Sequence, residues 1–144
     1  MGSHHRAYTA TRYILPFEQE YAPVEHTFAP PFTIANSYSN ADANLHRVQL
    51  QYLSGTVSYV LRTVYEFFFG ITYGYDGLTI KPCVPKAFGN CETEFKYLGK
   101  NFKTVFTPAT GNKTITFNGK TQNVSEIFIA DADMKEENLL KIEY

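Results

Sequence analysis

The sequence predicts an α+β chain in which loops and one helix precede an antiparallel, jelly-roll-like β-sandwich. Three observations carry this. Residues 56–69 place apolar side chains at helical spacing. From Gly77 onward the chain breaks into short runs rich in Thr, Ile, Val and Phe, separated by turn residues. The change of pattern near residue 75 divides the 144 residues into segments 7–75 and 76–144. Residues 1–6 are set aside, because Met-Gly-Ser-His-His reads as a tag remnant, so His4 and His5 carry no functional weight.

Element by element, residues 8–17 suit a short helix or an extended run stopped by Pro16. Residues 22–47 hold Pro23, Pro30 and Pro31, then a run of Asn, Ser and Asp, which is loop chemistry. In the helix, Val57, Val60, Leu61, Val64, Phe67 and Phe68 share one face, and Ser58, Arg62 and Glu66 the other. Ser54 is placed to cap its start and Gly70 to end it. Strands are expected over 78–80, 93–98, 101–107, 113–117, 126–130 and 139–144. Gly99-Lys100 is the expected turn of one hairpin and Asn118-Gly119 of another, the latter because a type I′ turn needs positive φ at both central residues.

Composition narrows the partners. Net charge is −1, with Lys and Arg scattered among acids, so no basic stripe suits nucleic acid or an anionic membrane. The run Phe67-Phe68-Phe69 is far shorter than the roughly 18 residues a membrane span needs. Cys83 and Cys91 lack metal-ligand spacing and favour a reducing, cytoplasmic compartment over a disulfide scaffold. No metal set is legible. Tyr and Phe supply 23 residues and Trp none, which fits a dense aromatic core or a carbohydrate protein.

The chemistry concentrates at Tyr52-Leu53-Ser54-Gly55-Thr56, where the helix opens. Free first-turn amides and the positive end of the helix dipole suit an anion. Gly55 lets a ligand approach the backbone, and Ser54 and Thr56 add hydroxyls. In most proteins such a tripeptide is only a cap.

This segment and the run Tyr75-Asp76-Gly77-Leu78-Thr79-Ile80-Lys81-Pro82-Cys83-Val84-Pro85 resemble the end of the cellobiose phosphorylase group, glycoside hydrolase family 94. Phe117-Asn118-Gly119-Lys120 is similar to a later hairpin of that family, and the resemblance spans roughly residues 29–144. The family's C-terminal phosphorylase-like relatives in cyclic β-1,2-glucan synthases share it. The resemblance implies that residues 7–75 are the last helix and loops of an (α/α)6 barrel, followed by the C-terminal β domain. It implies phosphorolysis of a β-linked disaccharide with inversion, with inorganic phosphate as co-substrate and no cofactor. Ser54 and Gly55 then correspond to the family's phosphate-binding pair, and His46 lies near its phosphate histidine. Carbohydrate and phosphate are the implied ligands, and a second copy or the rest of the barrel the implied protein partner.

Departures matter too. No residue corresponds to the family's catalytic Asp, so no catalytic residue is assigned and the chain alone is expected to be inactive. Asp42, Asp76, Asp131 and Asp133 are not substitutes: Asp76 belongs to a turn, and Asp131 and Asp133 to an expected exposed loop. Tyr52 stands where the family has Trp, and Lys81 where it has Asp. The alternative is a small carbohydrate-binding or oligomerisation module.

Overall fold

The computed structural model describes residues 3–12, 28, 34, 37–39, 41, 47–49 and 54–144. It divides into two compact units, residues 1–63 and 64–144.

In the first unit, α1 spans Ser3–Arg12. Threonine side chains fold back onto it: Thr9 and Thr11 donate to the carbonyls of His5 and Ala7. Strands β1 (Ser37–Tyr38) and β2 (Val48–Gln49) pair antiparallel, and the Ser39 amide donates to Arg47 O at 2.8 Å. Strand β1 lies inside the segment 22–47 expected to be loop, and β2 just after it. Helix α2 runs Ser54–Arg62.

The helical ladder then widens. Residues Thr63–Phe68 form a π-helical turn, with Phe69 N donating to Val64 O at 2.9 Å. An extra residue per turn rotates every later side chain relative to a continuous α-helix. The continuous α-helix expected to Phe69 is therefore interrupted at Thr63. Phe68 and Phe69 are buried, while Phe67 is 40% exposed, as are Val57 (42%) and Leu61 (55%) on α2.

The second unit is a two-layer β-sandwich. One sheet has the order β3-β4-β9, from Ile71–Tyr73, Gly77–Ile80 and Ile127–Ala130. The other has the order β5-β6-β10-β7-β8, from Cys91–Tyr97, Lys100–Thr107, Glu137–Glu143, Thr114–Phe117 and Lys120–Gln122. Alternation does the sorting, since successive side chains leave a strand on opposite faces. Along β6, Phe102, Thr104 and Phe106 are buried between exposed or half-buried neighbours. Along β10, Asn138, Leu140 and Ile142 do the same. These meet Ile71, Leu78, Ile80 and Ile129 of the smaller sheet in one core. Aromatic pairs serve that core: Phe69 stacks on Phe106 at 4.7 Å and Phe95 on Phe102 at 5.1 Å.

Two expectations need correction, and one strand was not foreseen. The sandwich is not wholly antiparallel: β10 runs parallel to β6, with Glu137 beside Asn101 and Glu143 beside Thr107. The cause is connectivity. Between β6 and β10 the chain makes the β7–β8 hairpin and crosses to the other sheet as β9, so it returns in the original direction. The turn joining β5 to β6 is centred on Leu98-Gly99 rather than Gly99-Lys100, with φ of 48° and 81°. Positive φ at both positions makes it the primed turn that matches strand twist, a geometry Leu accepts only under constraint. Last, Ile71–Tyr73 is a strand, although no alternating pattern marks three residues.

Among the described residues no helix is long and apolar enough to cross a membrane.

Candidate functional site

The anion seat expected from the sequence lies at the start of α2. The helix begins at Ser54 itself, two residues earlier than expected, so Ser54 and Gly55 both belong to its first turn. No acidic residue occupies that turn and Arg62 stands in the last one. The first turn itself thus carries no carboxylate to compensate the positive end of the dipole. Gly55 is exposed, and a Cβ built on it meets nothing within 4 Å. Thr56 and Ser58 follow on the same helix, Thr56 half-buried and Ser58 exposed. His46, Asp42 and Tyr52, with the side chain of Ser54, lie outside the described residues.

The specific-looking run from Tyr75 to Pro85 has a structural job. Phe68 O and Gly70 O accept from Cys83 N and Lys81 N, both at 2.9 Å, fastening the end of the helix to the chain leaving β4. Gly70 sits at φ 68°, and a Cβ there would stand 2.0 Å from Lys81 O. Only glycine allows this approach. Lys81 itself pairs with Glu126 at 2.8 Å, which raises the Lys81 pKa.

Two of the acidic residues, Asp76 and Asp131, also belong to turn structure. Asp76 is exposed at the β3–β4 turn, and its carbonyl accepts from Asp131 N at 3.1 Å. That turn is further held by Gly74 N donating to Gly77 O and by the Tyr97 hydroxyl donating to Gly74 O, each at 2.9 Å. Asp131 is only half-exposed, contrary to the expected exposed loop, because a 3-10 turn at Asp131–Asp133 folds it back towards the sheet. The Lys100 ammonium donates to Asp131 O and Met134 O, at 3.0 Å each. Burial, reinforced by the Asp131 and Asp76 charges, raises the Tyr97 pKa. Burial also raises the Cys91 thiol. Among the described residues no cluster of three or more His, Cys, Asp or Glu side chains could hold a metal.

A second concavity was not foreseen. It lies between the β7–β8 hairpin and β9, with Phe117, Ile127 and Ile129 on its floor and Lys120, Gln122, Asp133 and Lys135 on its rim. In the sequence its residues carry no motif; only the Asn118-Gly119 turn flags one wall.

With this geometry in place, comparison with known proteins gives a class and then a relative. No protein-family profile matches the chain. The similarity is a distant one, to a phosphorylase. The relative is the solabiose phosphorylase of Paenibacillus borealis, 25% identical over 124 residues, which are 83% of this chain. The matched region covers 16% of the relative's length.

Proposed function

We propose that this chain is the C-terminal part of an inverting β-disaccharide phosphorylase of the cellobiose type, carrying part of its phosphate seat. The observation that supports the reading is the match to a phosphorylase over 83% of the chain. An α2 first turn free of acidic side chains, with an open Gly55, is compatible with it.

In the proposed reaction an oxygen of inorganic phosphate attacks the anomeric carbon from the face opposite the leaving group. The C1–O bond to phosphate forms as the C1–O glycosidic bond breaks. A carboxylic acid gives its proton to the departing oxygen, and phosphate, already a nucleophilic anion, needs no separate base. Ser54, Gly55 and His46 are assigned to phosphate. The proton donor has no counterpart here, so the chain by itself performs no phosphorolysis and acts within a larger protein. The second reading, an oligomerisation module, draws on the exposed Val57 and Leu61 of α2.

Titration of the isotope-labelled chain with inorganic phosphate tests the seat. The amides of Gly55, Thr56 and Val57 shift, with a dissociation constant in the range of about 1 mM or weaker, since a surface helix dipole supplies only about 0.3–1 kcal/mol. Gly55→Val blocks the approach and abolishes the shifts. Unmoved amides at 55–57 in the parent protein would reduce the seat to a helix cap.

A further inference from the structure

The concavity beside β9 is a built site rather than a surface irregularity. Its volume is about 340 Å³, within the usual range for small-molecule pockets. It lies between two sheet edges, because β8 ends the five-stranded sheet and β9 ends the three-stranded one. Each edge strand leaves backbone N–H and C=O groups on its open side unpaired by any described strand. The apolar lining of the concavity is Phe117 and Ile129, both buried in the core, with Ile127 half-buried and Phe128 57% exposed.

The rim is polar and unspent. The side chains of Lys120, Gln122, Asp133 and Lys135 are exposed, and none has a hydrogen bond or ion pair among the described residues. One side of the cleft is held by a buried amide. Asn138 Oδ1 accepts from Asn118 Nδ2 at 3.0 Å on the hairpin side and from Lys135 N at 2.9 Å on the other. Asn138 Nδ2 donates back to Lys135 O at 2.6 Å, and Asn118 Oδ1 accepts from Leu139 N at 2.9 Å. The spacing between the Asn118 turn and the Lys135 segment is therefore fixed before any ligand arrives, which lowers the ordering cost of binding on that side of the cleft.

We infer that this cleft binds a neutral carbohydrate, one or two pyranose rings in length. The ligand must have an apolar face and a hydrogen-bonding edge. A pyranose offers both: its C–H face suits the accessible apolar lining, Ile127 and Phe128. Its hydroxyls can accept from Lys120, Lys135 and Gln122 and donate to Asp133. An anion is a poorer match, because the Asp133 carboxylate stands with the two ammonium groups in the same lining. The inference goes beyond the phosphorylase reading, and it needs neither the phosphate seat nor any catalytic step.

Cellobiose titrated into the isotope-labelled full chain tests it, with inorganic phosphate as the counter-probe. Saturable shifts are expected at the amides of Lys120, Gln122, Ile127 and Lys135, with half-saturation on the order of 1–10 mM. Gln122→Ala and Asp133→Ala, both exposed positions, should each weaken binding by about threefold or more while leaving the remaining spectrum in place. No saturable shift at these amides overturns the inference. So does a shift produced by phosphate but not by cellobiose, or variants that bind as the parent does. A failure here leaves the amides at 55–57 free to answer separately for the phosphate seat.

Discussion

Gly70→Ala should be among the most damaging single-methyl additions in the β unit, and its cost can be built from the structure. Gly70 has φ 68°, where an L side chain costs about 1–2 kcal/mol. The new methyl would stand 2.0 Å from Lys81 O, 2.2 Å from Lys81 C and 2.7 Å from Pro82 N, all backbone atoms that cannot swing aside. The two segments must separate. That breaks the Lys81 N to Gly70 O bond and strains the Cys83 N to Phe68 O bond, at about 1 kcal/mol each. The sum is about 3–4 kcal/mol, a large part of the roughly 5–15 kcal/mol that holds a domain together. For a unit this size the melting temperature should fall by at least about 12 °C. Urea unfolding followed by circular dichroism gives the stability change. Two controls separate the contributions. Gly99→Ala, at φ 81° with open space around the methyl, should cost only the backbone share of about 1–2 kcal/mol. Gly111→Ala, with open space and no positive φ, should stay within about 0.5 kcal/mol. A Gly70→Ala protein no less stable than Gly99→Ala would refute the clamp between helix end and strand exit.

Other outcomes follow from particular groups. Thr104 is fully buried and its Oγ1 has no partner, so Thr104→Val should stabilise the unit by about 1 kcal/mol in the same unfolding assay; a loss of stability would mean that the hydroxyl is satisfied. Tyr73, Tyr97 and Tyr144 all have pKa values raised above 10.0, chiefly by burial. The unfolded chain therefore loses phenolic protons first, and stability is intact below that value and falls as pH rises from it through the folded pKa values. Tyr97→Phe should make the alkaline loss of circular dichroism shallower, and an unchanged pH profile would rule out a contribution from that phenol. Cellobiose and phosphate incubated with the chain alone should yield no glucose 1-phosphate above buffer. Steady protein-dependent release would mean that a proton donor has been overlooked.

Much of the β unit was legible because its signals are local. The alternation in 101–107 and the Asn118-Gly119 turn name their strands, and Asn118 and Gly119 do adopt positive φ of 46° and 88°. What escaped depends on partners distant in sequence. Strand β3 is three residues long and exists because Ile71 and Tyr73 pair with Ile80 and Leu78. The parallel β6–β10 ladder joins residues 36 positions apart at Glu137 and Asn101, and no local pattern encodes strand direction. The π-turn escaped because a 3.6-residue period was carried through a segment whose Phe68 and Phe69 are both drawn into the core. Of the site, the Ser54-Gly55 helix start was legible as a first turn. The cleft beside β9 was not, since its walls come from residues 117–122, 127–129 and 133–135 and meet only in three dimensions.

The place of β10 governs how the β unit can be made. The segment Glu137–Glu143 is the last strand described and lies between β6 and β7 in the middle of the larger sheet. On a ribosome, β5–β6 and β7–β8 can each close as hairpins soon after they emerge, but the two hairpins have nothing to join them until residues 137–143 follow. Until then the inner edges of β6 and β7 and the apolar faces of Phe102, Phe106 and Ile115 are open to other chains. A transcript or protease cut that removed only these seven residues would leave two separate ribbons and no sheet between them.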